Sequence, residues 1–123
     1  MFGTLKRDVC VCCRKLFHPH IIQFRSLIPT EHYLCLVMEY ANAGDLFKFA
    51  KHTRGLPEAA ARFIFQQLVL VLDYCHDDQI KMFIRDVKPS NLLLVWNSNG
   101  MPLVKLTDFN LAKDTALDVR TLI

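Results

Sequence analysis

Between Leu56 and His76 the chain reads LPEAAARFIFQQLVLVLDYCH, and its apolar positions return every three or four residues. Ala60, Phe63, Ile64, Gln67, Leu68, Val71, Leu72 and Cys75 fall on that helical period, while Phe65, Val69 and Leu70 make the other side apolar too. The pattern predicts a long helix with all of these side chains in a core. Pro57 suits its first turn, Glu58 its positive end, and His76 its negative end, where a cationic ring is favoured. Two other stretches, HIIQFRSLI over residues 20–28 and YLCLVMEY over residues 33–40, are apolar and rich in β-branched side chains. They flank the turn signal Pro29-Thr30-Glu31-His32 and predict an antiparallel pair of strands. Leu92–Val95 and Leu103–Leu106 stand on either side of Asn97-Ser98-Asn99-Gly100 and predict a hairpin. Residues 1–17 read as a weak helix that must end before Pro19, because proline pushes its predecessor out of helical geometry.

Composition narrows the class. With 123 residues, 52% hydrophobic and 22% charged, the chain suits one small globular domain rather than a disordered tail. Fifteen Lys and Arg against 12 Asp and Glu leave a scattered +3, which argues against a nucleic-acid partner, since that needs clustered basic residues. The five cysteines are odd in number, and Cys10, Cys12 and Cys13 are crowded, so reduced intracellular thiols are expected rather than a disulfide framework. Their spacing with His18 and His20 matches no familiar zinc hook. No apolar run reaches membrane length and no signal-peptide core is present, so a soluble intracellular protein with no membrane partner is expected, in cytoplasm or nucleus.

The candidate chemistry lies between Phe83 and Lys113, FIRDVKPSNLLLVWNSNGMPLVKLTDFNLAK. Asp86 and Lys88 occupy a proline-containing loop, Asn91 opens the run LLLV, and Asp108 closes the run LVKLT, so the hairpin can bring these loops together. Asn91 and Asp108 carry the hard oxygen atoms that Mg²⁺ prefers. Asp86 is then free to act as a base, and Lys88 supplies a cation for a transferred phosphoryl group. Upstream, Asp45 follows Gly44 and suits a helix N-cap.

IRDVKPSN followed by TDFN resembles the HRDLKPEN catalytic loop and DFG motif of eukaryotic protein kinases, and its Lys-Pro-Ser-Asn form resembles the Ser/Thr class. The resemblance implies a partial kinase-like α+β fold: residues 1–38 a remnant of the small lobe, 39–45 the hinge, and 46–123 the start of the large lobe, truncated in the activation segment. It further implies ATP and Mg²⁺ as cofactors and a protein Ser/Thr hydroxyl as acceptor. Asp86 and Lys88 would be catalytic, and Asn91 and Asp108 would hold the metal. Met38 would be the gatekeeper, the backbones of Glu39 and Ala41 would face the adenine, Asp45 would meet the ribose, and Leu93 would floor the base. The strings HPHIIQFRSL, MEYANAGDLF and ARFIFQQLVLVLDYCH resemble the plant and green-algal sucrose-non-fermenting-related kinases, particularly their osmotic-stress branch.

Several positions depart from that pattern. Ile84 replaces the histidine of HRD, and Asn110 the glycine of DFG, where asparagine tolerates positive φ better than other side chains. Val9 stands where the helix glutamate that pairs with the nucleotide-binding lysine is expected. Gly3, Gly44, Gly55 and Gly100 are too dispersed for a G-x-G-x-x-G loop, no strand precedes Val9, and no A-P-E segment is present. A Ser/Thr kinase portion inactive by itself is therefore expected, with a non-catalytic kinase relic that binds other proteins as the alternative.

Overall fold

The computed structural model describes Arg14 and residues 16–80, 82–84, 86–107, 113 and 114. Most of the helix expected over 1–17, together with Val9 and the three crowded cysteines, lies outside the described residues, as do Arg85, Asp108, Phe109 and Asn110.

Strand β1 (Phe24–Pro29) pairs antiparallel with β2 (Leu34–Met38), with Leu27 opposite Leu36 and a bulge between Phe24 and Ser26. Thr30 closes the turn: its Oγ1 donates to the Tyr33 carbonyl at 2.9 Å and accepts the Tyr33 N–H at 2.9 Å. The strand expected from residue 20 begins only at Phe24. The preceding residues have another partner. Ile21 forms a parallel bridge with Leu106, the Ile22 N–H donates to the Leu106 carbonyl at 3.0 Å, and the Leu106 N–H donates to the His20 carbonyl at 2.8 Å. Ile21 and Ile22 are thereby buried.

Helix α1 (Leu46–His52) starts at Asp45, whose Oδ1 accepts the Lys48 N–H at 2.9 Å. It ends with Arg54 in the left-handed region at φ 58° and with the Gly55 N–H donating to the Ala50 carbonyl at 2.8 Å, a Schellman closure. Helix α2 (Glu58–His76) follows, with Pro57 just outside it. Ile64, Gln67, Val71 and Cys75 form its buried stripe. Phe65, Val69 and Leu70, expected in the core, are instead exposed at 61%, 47% and 56%. The hairpin of residues 92–106 covers one side of the helix, and residues rotated about 100° or more from that stripe turn away from it.

A short strand β3 (Met82–Phe83) leads to a 3₁₀ turn (Pro89–Asn91) and then to the hairpin of β4 (Leu92–Trp96) and β5 (Pro102–Leu106). Leu92 faces Leu106 and Val95 faces Leu103, the expected register. Gly100, at φ 76°, donates its N–H to the Asn97 carbonyl at 3.1 Å and makes the reversal possible. β6 (Lys113–Asp114) pairs with β3. Leu94, Val104, Leu106, Met82, Val71, Cys75 and Leu16 meet in the core, and Ile84 packs against it.

The outer edge of β5 is closed by parts other than a full strand. The Val104 N–H donates to Gln67 Oε1 at 2.9 Å, Gln67 Nε2 donates to the Pro102 carbonyl at 3.1 Å, and His20 Nδ1 donates to the Val104 carbonyl at 2.9 Å. Residues 20–22 complete the closure, so the buried polar groups of this edge are satisfied.

Candidate active site

The loop from Asp86 to Asn91 gathers three of the expected groups. Pro89 fixes the start of the 3₁₀ turn, whose Asn91 N–H donates to the Lys88 carbonyl at 2.9 Å. Asn91 is buried, and its Nδ2 donates to the Asp86 carbonyl at 2.9 Å and to Asp86 Oδ2 at 3.2 Å. Lys88 Nζ lies 3.1 Å from the same Oδ2. One carboxylate oxygen is thus held between an amide and an ammonium group, and among the described residues no hydrogen bond or ion pair engages Oδ1. The two side chains are part exposed, which leaves the pair open to solvent screening.

Asn91 also marks where the two halves of the loop region meet, because the Thr107 N–H at the end of β5 donates to the Asn91 carbonyl at 2.9 Å. That bond sets Thr107 against Asn91. Asp108 itself lies outside the described residues. With Nδ2 engaged by Asp86, the lone-pair atom of the Asn91 amide is Oδ1, a hard oxygen donor that fits Mg²⁺.

The connecting segment 39–45 runs along β4. Ala43 N–H donates to the Leu94 carbonyl at 3.0 Å, Leu94 N–H to the Gly44 carbonyl at 2.8 Å, and Asp45 bridges Leu93. Asn42 extends this contact: its Oδ1 accepts the Trp96 N–H at 2.9 Å, and Trp96 stacks at a tilt on Phe49 with ring centroids 6.1 Å apart. Leu93 and Ala41 are half-buried, whereas Met38 is 40% exposed and pairs with Phe24 across the first hairpin. Asp86, Lys88 and Asn91 are therefore brought together, and Asp45 is brought to Leu93. Among the described residues no hydrogen bond or ion pair joins Met38, Glu39 or Ala41 directly to the Asp86 cluster.

One ion pair was invisible in the sequence. Lys105 Nζ lies 2.8 Å from Glu39 Oε1, and that same oxygen accepts the Gln23 N–H at 2.9 Å. Burial pushes the Glu39 carboxyl up, but the bonds from Lys105 and Gln23 and the nearby Arg25 charge outweigh it and hold the group below its ordinary 4.5. A lysine between apolar neighbours on a strand reads as solvent-facing, and only the length of its stem lets it cross to Glu39.

A separate cavity of about 470 Å³ is lined by His18, Pro19, His20, Leu70, Asp73, Tyr74 and Asp77, and none of the candidate residues faces it. His18 Nδ1 accepts the His20 N–H at 3.0 Å, and burial, then the neighbouring His20 and Lys105, lower its pKa from the ordinary 6.5. No helix among the described residues is long and apolar enough to cross a membrane.

The protein kinase domain matches residues 8–121. The chain is 43% identical over 107 residues to serine/threonine-protein kinase SRK2H of Arabidopsis thaliana, an alignment covering 87% of this chain and 29% of that protein. It is 39% identical over 112 residues to CBL-interacting serine/threonine-protein kinase 16 of Arabidopsis thaliana, covering 91% of this chain and 22% of the relative. It is 40% identical over 104 residues to serine/threonine-protein kinase SAPK9 of Oryza sativa subsp. japonica, covering 85% and 28% respectively. The likeness to plant Ser/Thr kinases expected from the motifs is borne out, and the chain spans under a third of the length of these relatives.

Proposed function

Because this chain belongs to the protein kinase domain family, we propose that it forms the central portion of a Ser/Thr protein kinase, which moves the γ-phosphoryl group of ATP to a protein Ser or Thr hydroxyl. The observation that supports this reading is the Asp86–Lys88–Asn91 cluster, in which one carboxylate oxygen is pinned and the other meets no partner among the described residues. Asp86 would orient the acceptor hydroxyl and take its proton at Oδ1. Lys88, 52% exposed, would leave Asp86 Oδ2 far enough to offset charge on the transferred group. Asn91 Oδ1 and Asp108 would hold Mg²⁺, which when bound neutralises phosphate oxygens. The backbones of Glu39 and Ala41 would read the adenine beside Met38, with Leu93 beneath the base and Asp45 near the ribose. The Asp45 cap uses Oδ1, and Oδ2, 3.9 Å from the exposed Lys48 ammonium, would serve the ribose. The division into small-lobe remnant (1–38), hinge (39–45) and large-lobe start (46–123) belongs to the same proposal, as does a cytoplasmic or nuclear location.

The test, made on a chain that joins these residues to a phosphate-binding loop and an A-P-E segment, is transfer of label from γ-labelled ATP to Ser/Thr-containing proteins in the presence of Mg²⁺. Asp86→Asn is expected to lower the rate about 10²-fold or more, and Lys88→Met to act in the same direction. Nucleotide binding with no Asp86-dependent transfer would favour the non-catalytic, protein-binding alternative, which the exposed Phe65, Val69 and Leu70 also suit.

A further inference from the structure

The Glu39–Lys105 pair joins the two ends of the proposed nucleotide site. Glu39 belongs to the segment that would read the base. Lys105 belongs to β5, opposite Leu93, and two residues before the Thr107 N–H that is fixed to Asn91. The pair is 2.8 Å long, with its side chains only 13% and 22% exposed. Glu39 is held further by Gln23, whose N–H donates to the carboxylate at 2.9 Å and whose carbonyl accepts the Glu39 N–H at 2.9 Å. Its carboxylate is therefore fixed on one side by backbone and on the other by a mostly buried ammonium, a geometry that resists stretching.

Resting on the nucleotide-site reading above, we propose that Lys105 and Glu39 are positioning residues that set the span between the base-reading segment 38–41 and the phosphate end at Asn91. Neither side chain touches the reacting atoms. The pair holds two subsites at one separation, and a ligand that occupies both gains affinity only while that separation matches its own length.

This role has a signature that general destabilisation lacks. The experiment titrates the purified protein and its Lys105→Met and Glu39→Gln variants with three probes: adenosine, Mg²⁺-tripolyphosphate and Mg²⁺-ATP. Lys105→Met is expected to weaken Mg²⁺-ATP by about 10-fold to 100-fold while leaving adenosine and tripolyphosphate within about twofold. Glu39→Gln keeps an acceptor for both Lys105 and Gln23 and should retain more ATP affinity than Lys105→Met. Amide hydrogen exchange at Gln23 and Glu39 reports the clasp without any nucleotide and should rise in Lys105→Met. Equal weakening of all three probes, or unchanged ATP affinity in Lys105→Met, would overturn the positioning role while leaving the nucleotide site standing. Absence of binding by the unmodified protein to every probe would overturn the nucleotide-site reading and this proposal with it.

Discussion

Gln67→Met tests how β5 is held against α2. Methionine matches glutamine closely in size and shape, so the substitution opens no cavity in the buried stripe of Ile64, Gln67, Val71 and Cys75. It removes the partner of two backbone groups that cannot themselves be changed: the Val104 N–H, bonded to Oε1 at 2.9 Å, and the Pro102 carbonyl, bonded to Nε2 at 3.1 Å. Val104 is fully buried, so its N–H meets no replacement water and carries the full desolvation cost, about 1–3 kcal/mol. The Pro102 carbonyl is only half-buried and adds about 1 kcal/mol, while the extra apolar burial of methionine returns about 1 kcal/mol. The net loss is about 2 kcal/mol, a fall of roughly 30-fold in the ratio of folded to unfolded protein. Urea unfolding followed by the fluorescence of Trp96, the single tryptophan of the chain and a β4 residue, measures it directly. A shift below about 0.5 kcal/mol at unchanged m-value would refute the account of the β5 edge, since it would mean that Val104 finds another acceptor.

Three further outcomes follow from the same geometry. His18 accepts a backbone N–H at Nδ1 and has its pKa lowered below 6.5, so the unfolded chain binds its proton more readily; stability is expected to fall as pH drops below about 6.5, and His18→Asn to flatten that slope in thermal melts. Asp45→Ala should cost about 1 kcal/mol through loss of the α1 cap, whereas Asp45→Asn should keep the cap and most of the stability, as chemical denaturation of the two variants would show. The buried Cys75 thiol is pushed up to about 11 by desolvation, so peptide mapping after a thiol reagent at neutral pH should find Cys35 modified and Cys75 untouched until the protein unfolds.

The parts of this fold that local sequence can specify were readable. The hairpin follows from its turn, because Gly100 takes a positive φ that the flanking apolar runs then translate into a register. Asp45 is a cap for the reason its side chain suggests, and the Asp86–Lys88–Asn91 cluster lies within six residues, so chain geometry alone nearly assembles it. Partners far apart in sequence were not readable. Residues 20–22 look like the start of a strand, yet their backbone groups go to Leu106. Gln67 sits on the helical period as though it were simply filling space, while its amide replaces a missing strand. Phe65, Val69 and Leu70 fit the period of no single face, and only the position of the hairpin decides which side of α2 is covered. Asn42, half of the clasp on Trp96, carried no sequence signal beyond a turn residue.

The stitching of residues 20–22 onto β5 also has a kinetic consequence. β1 with β2, α2 alone, and β4 with β5 each close over short stretches of chain, whereas the His20–Val104 bond spans 84 residues. Closing so long a loop costs more entropy than any of the local steps, so it waits until the local units exist. The amides of Ile22 and Leu106 are therefore expected to gain protection last in folding and to lose it first in unfolding, an order that pulsed hydrogen exchange at those two positions would check.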